Sequence, residues 1–317
     1  MITRFAIGCL VQWYEVDIIN EYVETLKDAI KFYDGEVYVD VTVVMNQNLE
    51  KTSLSEEDFW KLEEKIYDTF SNNLGINNYQ IRSTENIYTI ADYRREFNTK
   101  YCNEVDVLIW GETDMLVPKN AFAALDSLHQ SVFNQTPKYL ATFGICKMWD
   151  ASWNPLEHID FTDKPFIEND YDNWWSLKYT MNKEEMNSFN DKVEELDVRV
   201  IQPHKFNGCG LVISSEVIKA GVNIPSSVFF VHEDTSFMLM TQKVLGQIPQ
   251  YHFKNILIVH NRNHPNKRNY VLGESGNTLN QKRRSNDWYV KANKYCEENC
   301  YNIFNPNYKS KTWSDIL

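Results

Sequence analysis

A chain of 317 residues is long enough for one large α/β domain, or one domain with an extension. Its 43% hydrophobic and 24% charged residues exclude a disordered chain, and its net charge of −12 argues against a dedicated nucleic-acid-binding domain, which is basic. No run approaches the roughly eighteen apolar residues of a membrane-spanning helix, and Met1 to Arg4 opens no apolar leader, so a soluble, cytoplasmic protein is expected. Cysteines at 9, 102, 146, 209, 296 and 300 show one close spacing, Cys296 to Cys300, without the second pair that a zinc site needs. Reduced thiols are expected.

In chain order, Phe5 to Trp13 is a short apolar run of buried-strand type. Ile18, Tyr22, Leu26 and Ile30 then recur at helical spacing within 17–32. Val37 to Met45 is a second buried strand, and Ser55 caps a helix that runs to about Phe70. A short strand at 79–83, a helix at 90–102, a third buried strand at 105–110, a helix at 120–133 and a strand at 139–145 follow. This rhythm predicts right-handed βαβ crossovers and a mostly parallel sheet flanked by helices. Ligands of such sheets bind beyond the carboxyl ends of the strands.

Residues 146–206 change character, with Trp149, Trp153, Trp174 and Trp175 among Asp, Asn and Pro, and read as an irregular excursion with one helix at about 182–195. Those rings, like any aromatic cluster, serve either a ligand surface or a core. A strand at 211–214, a helix at 235–245 and a last apolar strand at 256–260 complete the pattern. Two domains are expected: 1–265 as the α/β unit, with 146–206 as an irregular aromatic-rich insertion in it, and 266–317 as a basic C-terminal extension.

Four motifs carry chemistry. Glu112 and Asp114 follow a buried strand one residue apart, a spacing that lets both carboxylates hold Mg²⁺ or Mn²⁺; a plain acidic turn is the alternative. Glu233 and Asp234 open an apolar helix, as caps or as a general base. His260 and His264 follow the last strand, and either can supply a third metal ligand. Gly208 and Gly210 flank Cys209 and permit close backbone approach, or a tight turn.

The order of these motifs resembles GT-A-fold glycosyltransferases, most closely the inverting family-2 type, over residues 1 to 265. The resemblance implies that Gln12, Trp13, Tyr14 and Glu15 hold the nucleotide base of a nucleotide-sugar donor, by analogy a UDP-sugar. Arg94, Arg95, Asn98, Thr113, Gly208, Gly210 and Arg262 are the further expected donor contacts. Glu112 and Asp114 stand at the D-x-D position, with Glu in the first place, and imply a bound Mn²⁺ or Mg²⁺. His260 or His264 completes the metal shell, and Asp234, beside Glu233, becomes the catalytic base. The expected function is transfer of a sugar to an acceptor hydroxyl, with inversion.

The acceptor stays open between a glycan and a hydroxymethylated base in DNA. Nine Lys or Arg against two acids between 254 and 294, including Lys267, Arg268, Lys282, Arg283, Arg284, Lys291 and Lys294, are what a phosphate backbone would meet. The alternative reading is a non-catalytic sugar-nucleotide-binding protein or a nucleotidyltransferase. Against the latter, the loop after the first strand, 12–17, holds neither Gly nor a basic residue.

Overall fold

The computed structural model describes residues 2–15, 18–46, 49, 55–82, 86–145, 182–201, 208–260 and 286–317. The β-branched runs Phe5–Gln12 (β1) and Val37–Val44 (β2) pair in parallel from Phe5 opposite Val37 to Gln12 opposite Val44. Between them α1 (Ile19–Phe32) buries Ile19, Tyr22, Val23, Leu26 and Ala29, one apolar stripe at helical spacing. A reciprocal cap of Ser55 and Asp58 starts α2 (Glu56–Asn73), which leads to β3 (Asn78–Arg82), parallel to β2. Thr89 and Asp92 cap α3 (Ile90–Tyr101) in the same way, and β4 (Val107–Trp110) joins the free side of β1. The two-residue β5 (Met115–Leu116), α4 (Ala121–Val132) and β6 (Leu140–Ile145) follow.

The second half comprises α5 (Lys183–Asn190), β7 (Val198–Val200), β8 (Val212–Ser214), α6 (Ser215–Lys219), α7 (Glu233–Leu245), β9 (Gln250–His260) and α8 (Asp287–Tyr301). The strand order is β3-β2-β1-β4-β8-β6-β9-β5, with β7 also on β9. The long ladders are parallel. The short β8 runs antiparallel between β4 and β6. The α/β expectation holds, and β1, β4, β6 and β9 all point their carboxyl ends to one edge.

Alternation along β1 separates the two faces of the core. Phe5, Ile7, Cys9 and Val11 pack with α1 and α4, while Ala6 and Leu10 pack with α3, α6 and α7. Each fully buried aliphatic side chain of this kind contributes about 1.5–3 kcal/mol.

Several boundaries differ from the sequence expectation. The last strand begins at Gln250 rather than 256, because its polar residues are paired: Asn255 takes Asp197 N–H at 2.9 Å and donates to the Glu195 carbonyl at 2.7 Å. Helix α5 stops at Asn190, whose amide bonds both backbone groups of Leu257 as well as the Met186 carbonyl within the helix. Helix α7 begins at Glu233, two residues early, so both acids occupy its first turn. The expected polar tail contains α8, which lays Ala292 and Cys296 against Phe229 and Phe230. None of Cys9, Cys102, Cys209, Cys296 and Cys300 is in a disulfide. No helix among the described residues is long and apolar enough to cross a membrane.

Candidate active site

The chain leaves β4 at Trp110 and turns through Gly111, Glu112, Thr113 and Asp114 into β5. That strand pairs antiparallel with the end of β9, Met115 opposite His260. The pairing carries Asp114 to the imidazole. His260 Nε2 lies 3.0 Å from Glu112 Oε2 and 3.4 Å from Asp114 Oδ2. Burial works against a charge on this ring, but Asp114 and Glu112 hold its pKa above the ordinary histidine value.

Arg94, buried on α3 with its guanidinium 4.7 Å from the Trp110 ring, ties this cluster to α7. Its Nη2 donates to Glu112 Oε1 at 2.7 Å and to the Gly208 carbonyl at 2.8 Å; its Nη1 donates to Glu233 Oε1 at 2.5 Å. Burial pushes the Glu112 carboxyl up, yet His260 and Arg94 outweigh it and hold it at about 2. Burial lifts Glu233 to about 7 against the pull of Arg94. It also raises Asp234, again with Arg94 opposing. Asp234 Oδ1 accepts the Thr235 N–H at 2.7 Å, and its carboxylate is half-buried where Glu233 is buried.

The approach to α7 is fixed from two sides. Arg95 donates to the carbonyls of Ile224, Pro225 and Val228, and Thr89 Oγ1 donates to that of Phe229 at 2.7 Å. From α8, Asn299 donates to the Ser227 carbonyl at 2.7 Å. His232 ends the segment at φ 65, a left-handed conformation that a non-glycine residue adopts only under constraint.

The fold gives several sequence-predicted donor contacts other work. Arg95 braces the 224–228 loop, and Asn98 is buried, accepting the Trp110 indole N–H at 2.9 Å and donating to Asn223. Trp13 is packed with Met45, Leu62 and Ile81 at 4% exposure, which leaves it little surface for the expected contact with a base. Glu15 is buried and accepts the Gln12 N–H at 3.0 Å, closing the turn after β1. The missing Cβ atoms of Gly208 and Gly210 make room for protein: one at 208 would meet Arg94 Nη1 at 2.5 Å, and one at 210 would meet Ile258 Cδ1 at 2.6 Å. Thr113 is buried in the turn. The side chain of Tyr14, and Arg262, His264, Trp149, Trp153, Trp174 and Trp175, lie outside the described residues. So do Lys267, Arg268, Lys282, Arg283 and Arg284, whereas Lys291 and Lys294 are exposed on α8.

Sequence reasoning placed one member in another role and missed a second. Arg94, expected as a donor contact, bridges two acids. Cys209 was seen only as the residue between two glycines, yet its Sγ lies with a Glu112 oxygen and a His260 nitrogen, all within 4.8 Å of one another. The Gly-Cys-Gly spelling was the one signal available.

Among the described residues, Glu112, Cys209 and His260 bring one donor atom each within 4.8 Å of one another, a set that could hold a divalent cation; Asp114 pairs with His260 Nε2 at 3.4 Å beside that set.

No family model and no curated protein matches the sequence. Among solved structures, the chain is similar to S. aureus TarS 1-349, at 11% identity over 98% of this chain and 77% of that one, with a TM-score of 0.44. It is also similar to glucosyl-3-phosphoglycerate synthase from Mycobacterium tuberculosis in complex with Mg²⁺ and uridine-diphosphate, at 9% identity over 82% and 71%, with a TM-score of 0.40. A mycobacterial protein gives 10% identity over 93% and 74%, with a TM-score of 0.44. Likeness at these values carries no functional weight. The fold and site by themselves define an α/β protein with an acid–histidine cluster at the carboxyl ends of its strands, linked by a buried arginine to an acid pair at a helix head.

Proposed function

We propose that this chain is a metal-dependent glycosyltransferase of the GT-A, family-2-like type, moving a sugar from a nucleotide-diphosphate donor to an acceptor hydroxyl with inversion. One observation carries the reading: Arg94 joins Glu112 of the Glu112–Asp114–His260 cluster to Glu233, so two sites 121 residues apart in sequence, 112 and 233, form one charged assembly. Arginine is suited to this bridge because its planar fork serves two carboxylates at once.

Glu112, Asp114 and His260 would hold the cation. When bound, Mn²⁺ or Mg²⁺ supplies positive charge opposite the diphosphate as the glycosidic bond breaks. Asp234 takes the proton of the acceptor hydroxyl as that oxygen bonds to the anomeric carbon and the diphosphate departs with the bonding pair. Glu233, fixed by Arg94, orients the head of α7 and leaves Asp234 as the more accessible carboxylate. By the family resemblance the donor is a UDP-sugar.

The test is release of free nucleoside diphosphate from a panel of nucleotide sugars with Mn²⁺ or Mg²⁺. The panel is run without acceptor, with simple sugars, and with hydroxymethylcytosine-containing DNA. Metal-dependent release from one donor supports the proposal, and the accelerating acceptor identifies the class of hydroxyl. Binding of a donor without turnover under every acceptor favours a sugar-nucleotide-binding protein instead.

A further inference from the structure

The turn 208–210 is set by backbone hydrogen bonds to the strand that delivers the acids. Gly210 N–H donates to the Trp110 carbonyl at 2.8 Å, and Trp110 N–H donates to the Leu211 carbonyl at 3.0 Å. Gly210 takes φ 70, and the turn holds Cys209, at 1% exposure, beside the chain leaving β4. Its Sγ falls within 4.8 Å of both a Glu112 oxygen and a His260 nitrogen. Bonds of about 2.0–2.3 Å to one cation place donor atoms up to about 4.5 Å apart, so a small closure suffices. Glu112 can contribute Oε2 here because Arg94 occupies Oε1.

A second polar group lies beside the chain leaving β4. The Tyr22 hydroxyl is buried and has no hydrogen-bond partner among the described residues. It stands against the backbone at Gly111, where a Cβ would meet it at 2.5 Å.

We propose that Cys209 is a thiolate ligand of the cation, making the centre a carboxylate–imidazole–thiolate site that selects Mn²⁺, Co²⁺ or Zn²⁺ over Mg²⁺. The inference rests on the metal-dependent reading above and deepens it. Mg²⁺ demands oxygen donors in near-ideal octahedral geometry, whereas a thiolate with an imidazole suits later and softer first-row ions. On ligation the thiol proton passes to solvent and sulfur keeps the bonding pair.

Co²⁺ titrated into chelator-treated native protein reads the ligand set directly. The expected result is visible d–d bands together with a near-ultraviolet thiolate-to-cobalt charge-transfer band, and Mn²⁺ displacing Co²⁺ far better than Mg²⁺ does. Cys209→Ser should retain the d–d bands, lose the charge-transfer band and weaken Co²⁺ binding by at least about tenfold; Cys9→Ser should keep all three properties. The native-protein spectrum needs no variant to fold. If its d–d bands appear without charge transfer, or the band survives in Cys209→Ser, the thiolate assignment is overturned while the cation site stands. If no Co²⁺ bands form at all, the cation site and the metal-dependent function fall with it.

Discussion

Arg94 and Glu233 meet in a buried ion pair that spans 139 residues of sequence, with Nη1 donating to Oε1 at 2.5 Å. Because the same guanidinium also holds Glu112, removing it leaves Glu233 without its cation and Glu112 with His260 alone. Arg94→Met should therefore destabilise the fold by about 3–5 kcal/mol in urea unfolding. Arg94→Lys should recover only part of that loss, since one ammonium cannot reach both acids through a planar fork. A double-mutant cycle with Glu233→Gln should give a clear coupling; additive effects would show that the pair is energetically idle.

Asp234→Asn should lower turnover of the cognate donor and acceptor by roughly 10²–10⁴-fold, with donor binding by calorimetry nearly unchanged. Burial raises the Asp234 carboxyl above the ordinary aspartate value, against Arg94. The base is active only when ionised, so kcat/KM should fall as pH drops through a value above that of a free aspartate. Unchanged turnover in Asp234→Asn would remove it from the mechanism.

The glycines of the 208–210 turn should fail for different reasons. Gly208→Ala drives a Cβ to 2.5 Å from Arg94 Nη1, so its loss should track that of Arg94→Met and should be smaller in an Arg94→Met background. Gly210→Ala places a side chain at φ 70 and within 2.6 Å of Ile258 Cδ1, so its cost, about 1–3 kcal/mol, should persist in that background. Thermal unfolding of the three single and two double variants separates the two.

His129 offers a pH test away from the site. Its Nδ1 lies 2.9 Å from the Tyr139 hydroxyl, and burial lowers its pKa, with Asp106 and Asp126 opposing. The unfolded chain takes up this proton near pH 6.5, and the folded chain only at lower pH. The stabilisation is therefore complete above about pH 6.5 and is lost as pH falls below it. In urea, His129→Gln should show a smaller drop in midpoint between pH 7.5 and pH 5.5 than the native protein. Equal drops would mean that the ring does not titrate between folded and unfolded states.

The sequence by itself determined the local record: the strands of the first half, the acids one residue past a buried strand, the acid pair at the head of a helix and a histidine ending the last strand. Residue periodicity writes these directly, because alternation and 3.6-residue spacing are properties of neighbours along the chain. The tertiary structure decided what no window of sequence holds. The two-residue β5 pairs with the end of β9 and so brings Asp114 to His260. Strand β8 inserts antiparallel beside β4 and sets Cys209 against Glu112. Arg94 turns inward to two acids rather than outward to a ligand, and Trp13 enters the core. Each of these depends on which distant surfaces are buried together. A buried charge must then find its counter-charge among whatever residues the packing brings near.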